Sequence, residues 1–307
     1  MSPKPDEQQV DTAKQEFKPK QWTQLLAEQW QLLLLATSFF TRIPVNISAE
    51  VSGKMLNEAS RYFALVGVFI GAGSALAFYL AATVMPIELA LLIAMATSVL
   101  LTGAFHEDGW ADVWDGFGGG WTVENKLNIM KDSRLGTYGA AALFFILMIK
   151  YQALLALIQQ NITSKALLGD TLLSDNLLNQ NLLSESLSVL SILVLGHCLS
   201  RVLATSLIAD MPYVSEDATS KVKPLAQTLS TNSYLTLLTT GVLILLFSLS
   251  FSVIWKLVLV LLLTRWCLKR WFTQQLGGYT GDCLGAAQQL SEVVIYISLL
   301  AFSAVSV

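Results

Sequence analysis

The chain has 307 residues, 54% of them hydrophobic and only 13% charged, with a formal net charge of −3 and a mean hydropathy of +0.57. Soluble domains carry about 25% charged residues, so this is the composition of an integral membrane protein. The small negative charge, with no basic stripe interleaved with aromatics, excludes nucleic acid as an expected partner. Cys198, Cys267 and Cys283 form no CxxC pair and no metal-ligand spacing, and read as reduced, buried thiols without a function.

Residues 1–30 are polar and Lys-rich (Lys4, Lys14, Lys18, Lys20) and lack the short apolar core and small-residue cleavage site of a secretory signal. They are expected to stay in the cytosol as an amphipathic segment whose Trp22, Leu25, Leu26 and Trp30 face the membrane interface. The rest, 31–307, reads as one integral membrane domain. Its first apolar stretch, 31–40, is short for a bilayer and is ended by Arg42-Ile43-Pro44, which leaves a surface-lying or re-entrant segment and a true span both open.

Runs of about the 20 apolar residues that a bilayer requires follow near 62–83, 87–105, 137–158, 188–208, 234–254, 257–275 and 286–306. The expected fold is therefore all-α, a polytopic transmembrane bundle of seven spans behind an interfacial or re-entrant helix. Lys and Arg near the span ends put the amino terminus and the 106–136, 209–233 and 265–285 stretches on one side. The positive-inside rule makes that side cytoplasmic. All the polar motifs then share one face of the membrane. The 159–187 stretch, with Leu-Leu at 167, 172, 177 and 182, has a period of five that fits neither helix nor strand and reads as a low-complexity outer connector.

The segment His106-Glu107-Asp108-Gly109-Trp110-Ala111-Asp112-Val113-Trp114-Asp115 places four carboxylates within nine positions. On a helix, Asp108, Asp112 and Asp115 fall on one stripe, with Trp110, Trp114 and Phe117 on the opposite one. Three like charges on one face call for a cation, and hard oxygen ligands favour Mg²⁺ or a similar ion.

Directly ahead of the 137–158 span lies Lys131-Asp132-Ser133-Arg134-Leu135-Gly136-Thr137-Tyr138-Gly139. Gly136 and Gly139 would let backbone N–H groups approach a phosphate at a helix start, with Lys131 and Arg134 as clamps. The plainer reading is that both cations anchor the span at the headgroups. A third cluster, Thr280-Gly281-Asp282, opens the last span, with Asp282, Gly285, Gln289 and Glu292 on one stripe. Glu292 lies inside an apolar run and is a functional candidate or a hydrogen-bond partner of a neighbouring helix; Asp282 is a site residue or an N-cap. Arg201 shares a face with His197 and Ser200 inside another span, pointing at the same cavity or pairing with Glu292. Lys221-Val222-Lys223-Pro224 reads as a mobile lid or a solvated loop.

Taken in order, these blocks resemble one family, the cobalamin synthases (adenosylcobinamide-GDP ribazoletransferases) of bacterial vitamin B12 assembly. The resemblance rests on His106 to Gly109 with Ala111-Asp112 and Asp115-Gly116, and on Met130 to Gly139. It extends to Thr41-Arg42-Ile43-Pro44, Leu65-Val66-Gly67, Gly277-Gly278, Thr280-Gly281-Asp282, Leu284-Gly285-Ala286 and Gln288-Gln289-Leu290. Trp110, the long 159–187 stretch and the extended amino terminus depart from it without touching a charged motif position.

The resemblance implies a multi-pass enzyme of the bacterial inner membrane, its active site facing the cytoplasm. In the implied reaction a ribose hydroxyl of α-ribazole, or of its 5′-phosphate, attacks the pyrophosphate of adenosylcobinamide-GDP and releases GMP. It also implies Mg²⁺. On this reading Asp108, Asp112 and Asp115 hold the metal, and Glu107 is a further ligand or a base. His106 is a general base or a partner that hydrogen-bonds a carboxylate. Lys131, Arg134 and Arg201 handle phosphate, while Asp132, Gly136, Gly139, Thr280, Asp282 and Glu292 line the substrate site. Partners are the two substrates and membrane lipid; self-association stays open. Asp112-Val113-Trp114-Asp115-Gly116 is also reminiscent of the CDP-alcohol phosphotransferases of lipid synthesis, but the rest of that signature is missing. A cation-coupled transporter is the alternative outside the enzymes, with only Glu292 and Arg201 placed as a transporter would have them.

Overall fold

The computed structural model describes residues 19–47, 51–167, 177–214 and 227–304, which form helices and, among these residues, no strand beyond a bridge between Tyr213 and Tyr279. In chain order the helices are α1 (Pro19–Phe40), α2 (Gly53–Ala59), α3 (Phe63–Ala82), α4 (Ile87–Thr102), α5 (Phe105–Gly119), α6 (Val123–Met130), α7 (Thr137–Leu167), α8 (Leu177–Ser206), α9 (Thr231–Ser248), α10 (Phe251–Leu276) and α11 (Gly281–Ala304). Six segments are long and apolar enough to cross a membrane: Gly53–Ala82, Thr137–Gln160, Val189–Ala209, α9, α10 and Gly281–Phe302. With α4 and α5 taken as one bent span there are seven, so the expected polytopic helical bundle is what the chain forms.

The polar ends of these helices meet at one end of the bundle. Phe40, closing α1, packs on Phe63 at the start of α3 and on Phe105 at the start of α5. The Arg42 N–H donates to Leu101 O at the end of α4. Past the end of α8, Val214 and Pro212 exchange backbone hydrogen bonds with Tyr279, just ahead of α11. Asp210 binds Arg265 and Lys269 near the end of α10. The stretches that the charge count assigns to one side are thus together in space.

Three sequence expectations change. The 87–105 run is not one straight span: α4 stops at Thr102, Gly103 and Ala104 take left-handed φ values of 64° and 59°, and α5 leaves at 85°. Ala104 adopts that conformation at a cost of about 1–2 kcal/mol, a reversal that hydropathy does not register. α5, with 15 residues, is not itself among the six segments long and apolar enough to cross a membrane. The 234–254 run breaks at Leu249–Ser250, so α9 ends at Ser248 and α10 starts at Phe251. The described residues of the 159–187 connector are helical, because α7 continues to Leu167 and α8 begins at Leu177. The 31–40 stretch continues the amphipathic segment in one helix. It is the second half of α1, with Leu32, Leu35, Ala36 and Phe40 buried and Trp22, Leu26 and Trp30 exposed. The boundary expected at 30/31 therefore falls inside a helix. Lys221, Lys223 and Pro224 lie outside the described residues.

α3 and α8 form the closest pair. A Cβ at Gly67 would collide with the His197 carbonyl, and one at Gly71 would lie 2.7 Å from Val194 Cα. Small residues permit this approach, which is how helices gain dispersion contacts where lipid supplies no hydrophobic drive. Phe144, Phe145, Leu246, Phe247 and Leu262 point outward, as lipid-facing side chains do.

Candidate active site

α5 carries the acidic motif and is fixed from two sides. Against α11, a Cβ on Gly109 would lie 2.9 Å from Asp282 O, and Gly285 faces His106 and Gly109 at 3.4–3.5 Å. Against α7, the Asp115 carboxylate accepts the Gly136 N–H on Oδ2 at 2.7 Å and the Gly139 N–H on Oδ1 at 2.8 Å. Both glycines are needed, since either Cβ would overlap that carboxylate. A buried Asp115 thus caps α7 and complements its dipole. The donors expected to receive a substrate phosphate bind the protein's own carboxylate here, which ties Asp115 to the start of α7. The opposite stripe packs inward: Trp110 on Trp114, with Trp114 and Phe117 on Trp271 and Phe117 also on Phe272 of α10.

That leaves Asp108, which is exposed, and Asp112, half-buried, facing Asp282 from the first turn of α11. Among the described residues no salt bridge reaches these three. Burial, then the charges of Asp282, Asp108 and Asp115, push the Asp112 carboxyl up to about 7. Asp282 is not the N-cap of α11; Thr280 is, its Oγ1 accepting the Cys283 N–H at 3.3 Å.

These carboxylates fit a hard cation in donor chemistry and in lacking a counter-charge. They do not form a closed cage: among the described residues no three acidic, His or Cys side chains converge on one point. The expected stripe is therefore divided: Asp115 is tied to α7, while Asp108 and Asp112 lie near Asp282 of α11.

Lys131 is exposed as the C-cap of α6. Arg134, at the surface, binds Asp132 through Nε at 3.0 Å and through its terminal nitrogen at 2.5 Å. Those hydrogen bonds hold Asp132 below the usual carboxylate range. The pair lies at the surface.

Beneath α5 is a second, buried polar layer. His106 is 3% exposed, its ring stacked on Phe40 at 5.5 Å with 9° between planes. Arg201 donates to His197 O at 2.9 Å and lies 5.9 Å above the same Phe40 ring, its Nε without a hydrogen-bond partner. Glu292 does not pair with Arg201. Its carboxylate is filled by Lys150 (3.1 Å), Gln288 (2.8 Å) and Tyr296 (2.9 Å), with His197 at 3.6 Å. Glu292 thus reaches a neighbouring helix, and no oxygen is left over for substrate. Glu107 receives Gln289 Nε2 on Oε1 at 3.0 Å, while Oε2 has no partner. Sequence reasoning missed Lys150, Tyr296 and the role of Phe40. Lys150 had a signal, as the lone charge within 137–160.

A polytopic helical membrane protein with uncompensated carboxylates and exposed cations at one end of its bundle is built to handle a charged substrate at a membrane surface. The profile of the cobalamin-5-phosphate synthase family matches residues 32–300, and the chain belongs to that family. It is 50% identical over 275 residues to an adenosylcobinamide-GDP ribazoletransferase of Shewanella pealeana, covering 89% of this chain and 96% of the relative. It is 47% identical over 273 residues to that of Shewanella frigidimarina (89% and 95%) and 44% identical over 278 residues to that of Vibrio cholerae (91% and 96%). No solved structure matches significantly. The lipid-synthesis and transporter readings are not favoured by these relatives.

Proposed function

We propose that this chain is an adenosylcobinamide-GDP ribazoletransferase, acting at the cytoplasmic face of a bacterial inner membrane. A ribose hydroxyl of α-ribazole, or of its 5′-phosphate, attacks the pyrophosphate of adenosylcobinamide-GDP. A new P–O bond forms at the cobinamide phosphate, the bond to the GMP phosphate breaks, and GMP leaves. The identity to relatives of that name over nine-tenths of the chain supports the substrate. What supports phosphate chemistry at this place is the uncompensated set Asp108, Asp112 and Asp282.

These residues would hold Mg²⁺, which when bound neutralises pyrophosphate charge and withdraws electrons from the attacked phosphorus. Lys131 and Arg134 bind the outer phosphate oxygens, Arg134 exchanging Asp132 for substrate. Both candidate bases are buried; His106 is stacked on Phe40, whereas Glu107 keeps one acceptor oxygen without a hydrogen-bond partner. Glu107 is the better recipient of the hydroxyl proton. Asp115, Gly136 and Gly139 position α5 without touching substrate.

The test is GMP release by the purified full chain in lipid nanodiscs, given adenosylcobinamide-GDP, α-ribazole and Mg²⁺. One GMP per new cobalamin is expected, with loss of turnover on chelation. Asp112→Asn should lower kcat roughly 100-fold or more. No GMP under any condition removes the proposal; undiminished turnover by Asp112→Asn removes the metal site alone.

A further inference from the structure

We infer that Lys150 is a positioning residue for Glu107, acting through the side-chain amide of Gln289. The inference rests on the reading above in which Glu107 serves the site. Lys150 is the one charged residue in the apolar segment 137–160 and is 4% exposed. A buried ammonium of this kind is retained where it does a specific task. Its Nζ lies 3.1 Å from Glu292 Oε2 and 3.1 Å from Gln289 Oε1. Gln289 Nε2 then donates to Glu107 Oε1 at 3.0 Å and to Gln288 Oε1 at 3.0 Å. Gln288 Nε2 donates in turn to Glu292 Oε2 at 2.8 Å and to Ser200 Oγ at 3.0 Å.

The direction of every bond in this circuit is fixed by charge. An ammonium only donates and a carboxylate only accepts, whereas an amide has one end of each kind. Lys150 therefore captures the carbonyl end of Gln289 and turns its NH₂ group toward Glu107. A flipped amide would set a donor against the ammonium and an acceptor against the carboxylate, losing both bonds. Glu292 fixes Gln288 by the same logic, which leaves the Gln288 carbonyl for the second N–H of Gln289. The result at the far end is specific: Oε1 of Glu107 is occupied and Oε2 is the oxygen without a partner. The signal reaches Glu107 from a charge on a different helix, with Gln289 as the link.

Lys150 acting only as a counter-ion of Glu292 makes different predictions. Four variants separate the two cases: Lys150→Met, Gln289→Met, their combination, and the charge-balanced Lys150→Met/Glu292→Gln. If Lys150 works through Gln289, each single variant lowers kcat roughly 10-fold with KM changed less than about 2-fold, as for groups that orient a functional residue. The combination is then no worse than the poorer single variant, and Lys150→Arg recovers part of the loss. The charge-balanced pair recovers the thermal midpoint but not kcat. Losses that multiply in the combination overturn the inference, as does full kcat in the charge-balanced pair.

A second readout needs no turnover. In protein labelled with [¹³C]glutamate, the infrared carboxylate band that disappears in Glu107→Gln belongs to Glu107. That band should shift alike in Lys150→Met and Gln289→Met, and an unmoved band overturns the relay. Because it is recorded on the resting protein, it judges the relay even if the wild-type chain releases no GMP. Full GMP release by Glu107→Gln removes the role of Glu107, and this inference with it, while leaving the reaction standing.

Discussion

Asp112→Asn should make the metal-free protein more stable at neutral pH even as it removes activity. In the folded chain the Asp112 carboxyl sits at about 7, against 3.8 for the free side chain. Burial is the largest cause, and the carboxylates of Asp282, Asp108 and Asp115 add to it. Because the folded value is the higher one, the folded protein holds this proton more tightly than the unfolded chain does. Stability is then at its fullest below about pH 4 and declines as pH rises from there to about 7, beyond which the loss is complete. Undiminished, a difference of that size corresponds to about 4 kcal/mol. Asp112 is only half-buried, so water and salt reduce the effect to about 1–2 kcal/mol. In thermal unfolding followed by tryptophan fluorescence, the midpoint of the native chain should drop by roughly 3–6 °C across that window. Asp112→Asn should flatten the drop, and millimolar Mg²⁺ should flatten it for the native chain only. A midpoint that falls as steeply with pH in Asp112→Asn as in the native protein would refute the reasoning.

Asp115→Asn keeps one acceptor for the Gly136 and Gly139 N–H groups and turns an NH₂ toward the other, so it should cost about 2–3 kcal/mol of stability. The same unfolding assay would show a lowered midpoint, opposite in sign to the effect of Asp112→Asn. Thr280→Ala removes the cap of α11 and should cost about 1 kcal/mol, while Thr280→Ser, which keeps the hydroxyl, restores the midpoint.

What could be read in the sequence was whatever depends on local periodicity. Apolar runs of bilayer length gave the spans, and the helical spacing of Asp108, Asp112 and Asp115 gave the acidic face of α5. The sharp turn at Gly103–Ala104 was not legible, because it needs an alanine in a left-handed conformation that no composition rule anticipates. Asp115 shows the limit of a helical stripe. Periodicity puts it on the same face as Asp112, but only the approach of α7 decides that its oxygens bind backbone N–H groups. Arg201 and Glu292 fail in a related way: both point inward, yet Lys150 from a third helix reaches Glu292 instead. A stripe carries direction and not distance. Asp282 joined the acidic face for the converse reason, being far in sequence and brought close by Gly109 and Gly285.

The polar residues divide into two layers, and the division follows from the membrane. In the buried layer Glu292 is paired with Lys150 and Glu107 accepts from Gln289, since a low-dielectric interior requires partners for ions it cannot hydrate. In the layer across the bundle end, Asp108, Asp112 and Asp282 have no such match among the described residues. Asp108 there is exposed and Asp112 half-buried, and the repulsion the set retains is what a cation carrying a phosphate substrate would relieve. The inner layer cannot take part in that exchange without leaving a bare charge in the bundle. It can act on the outer layer only by fixing the orientation of a shared residue. Glu107 is that residue, with Oε1 held from below by Gln289 and its backbone adjoining Asp108. A site of this kind belongs at the end of the helices, since deeper the acidic set would need permanent partners, and farther out it would lose the fixed orientation that the buried layer supplies.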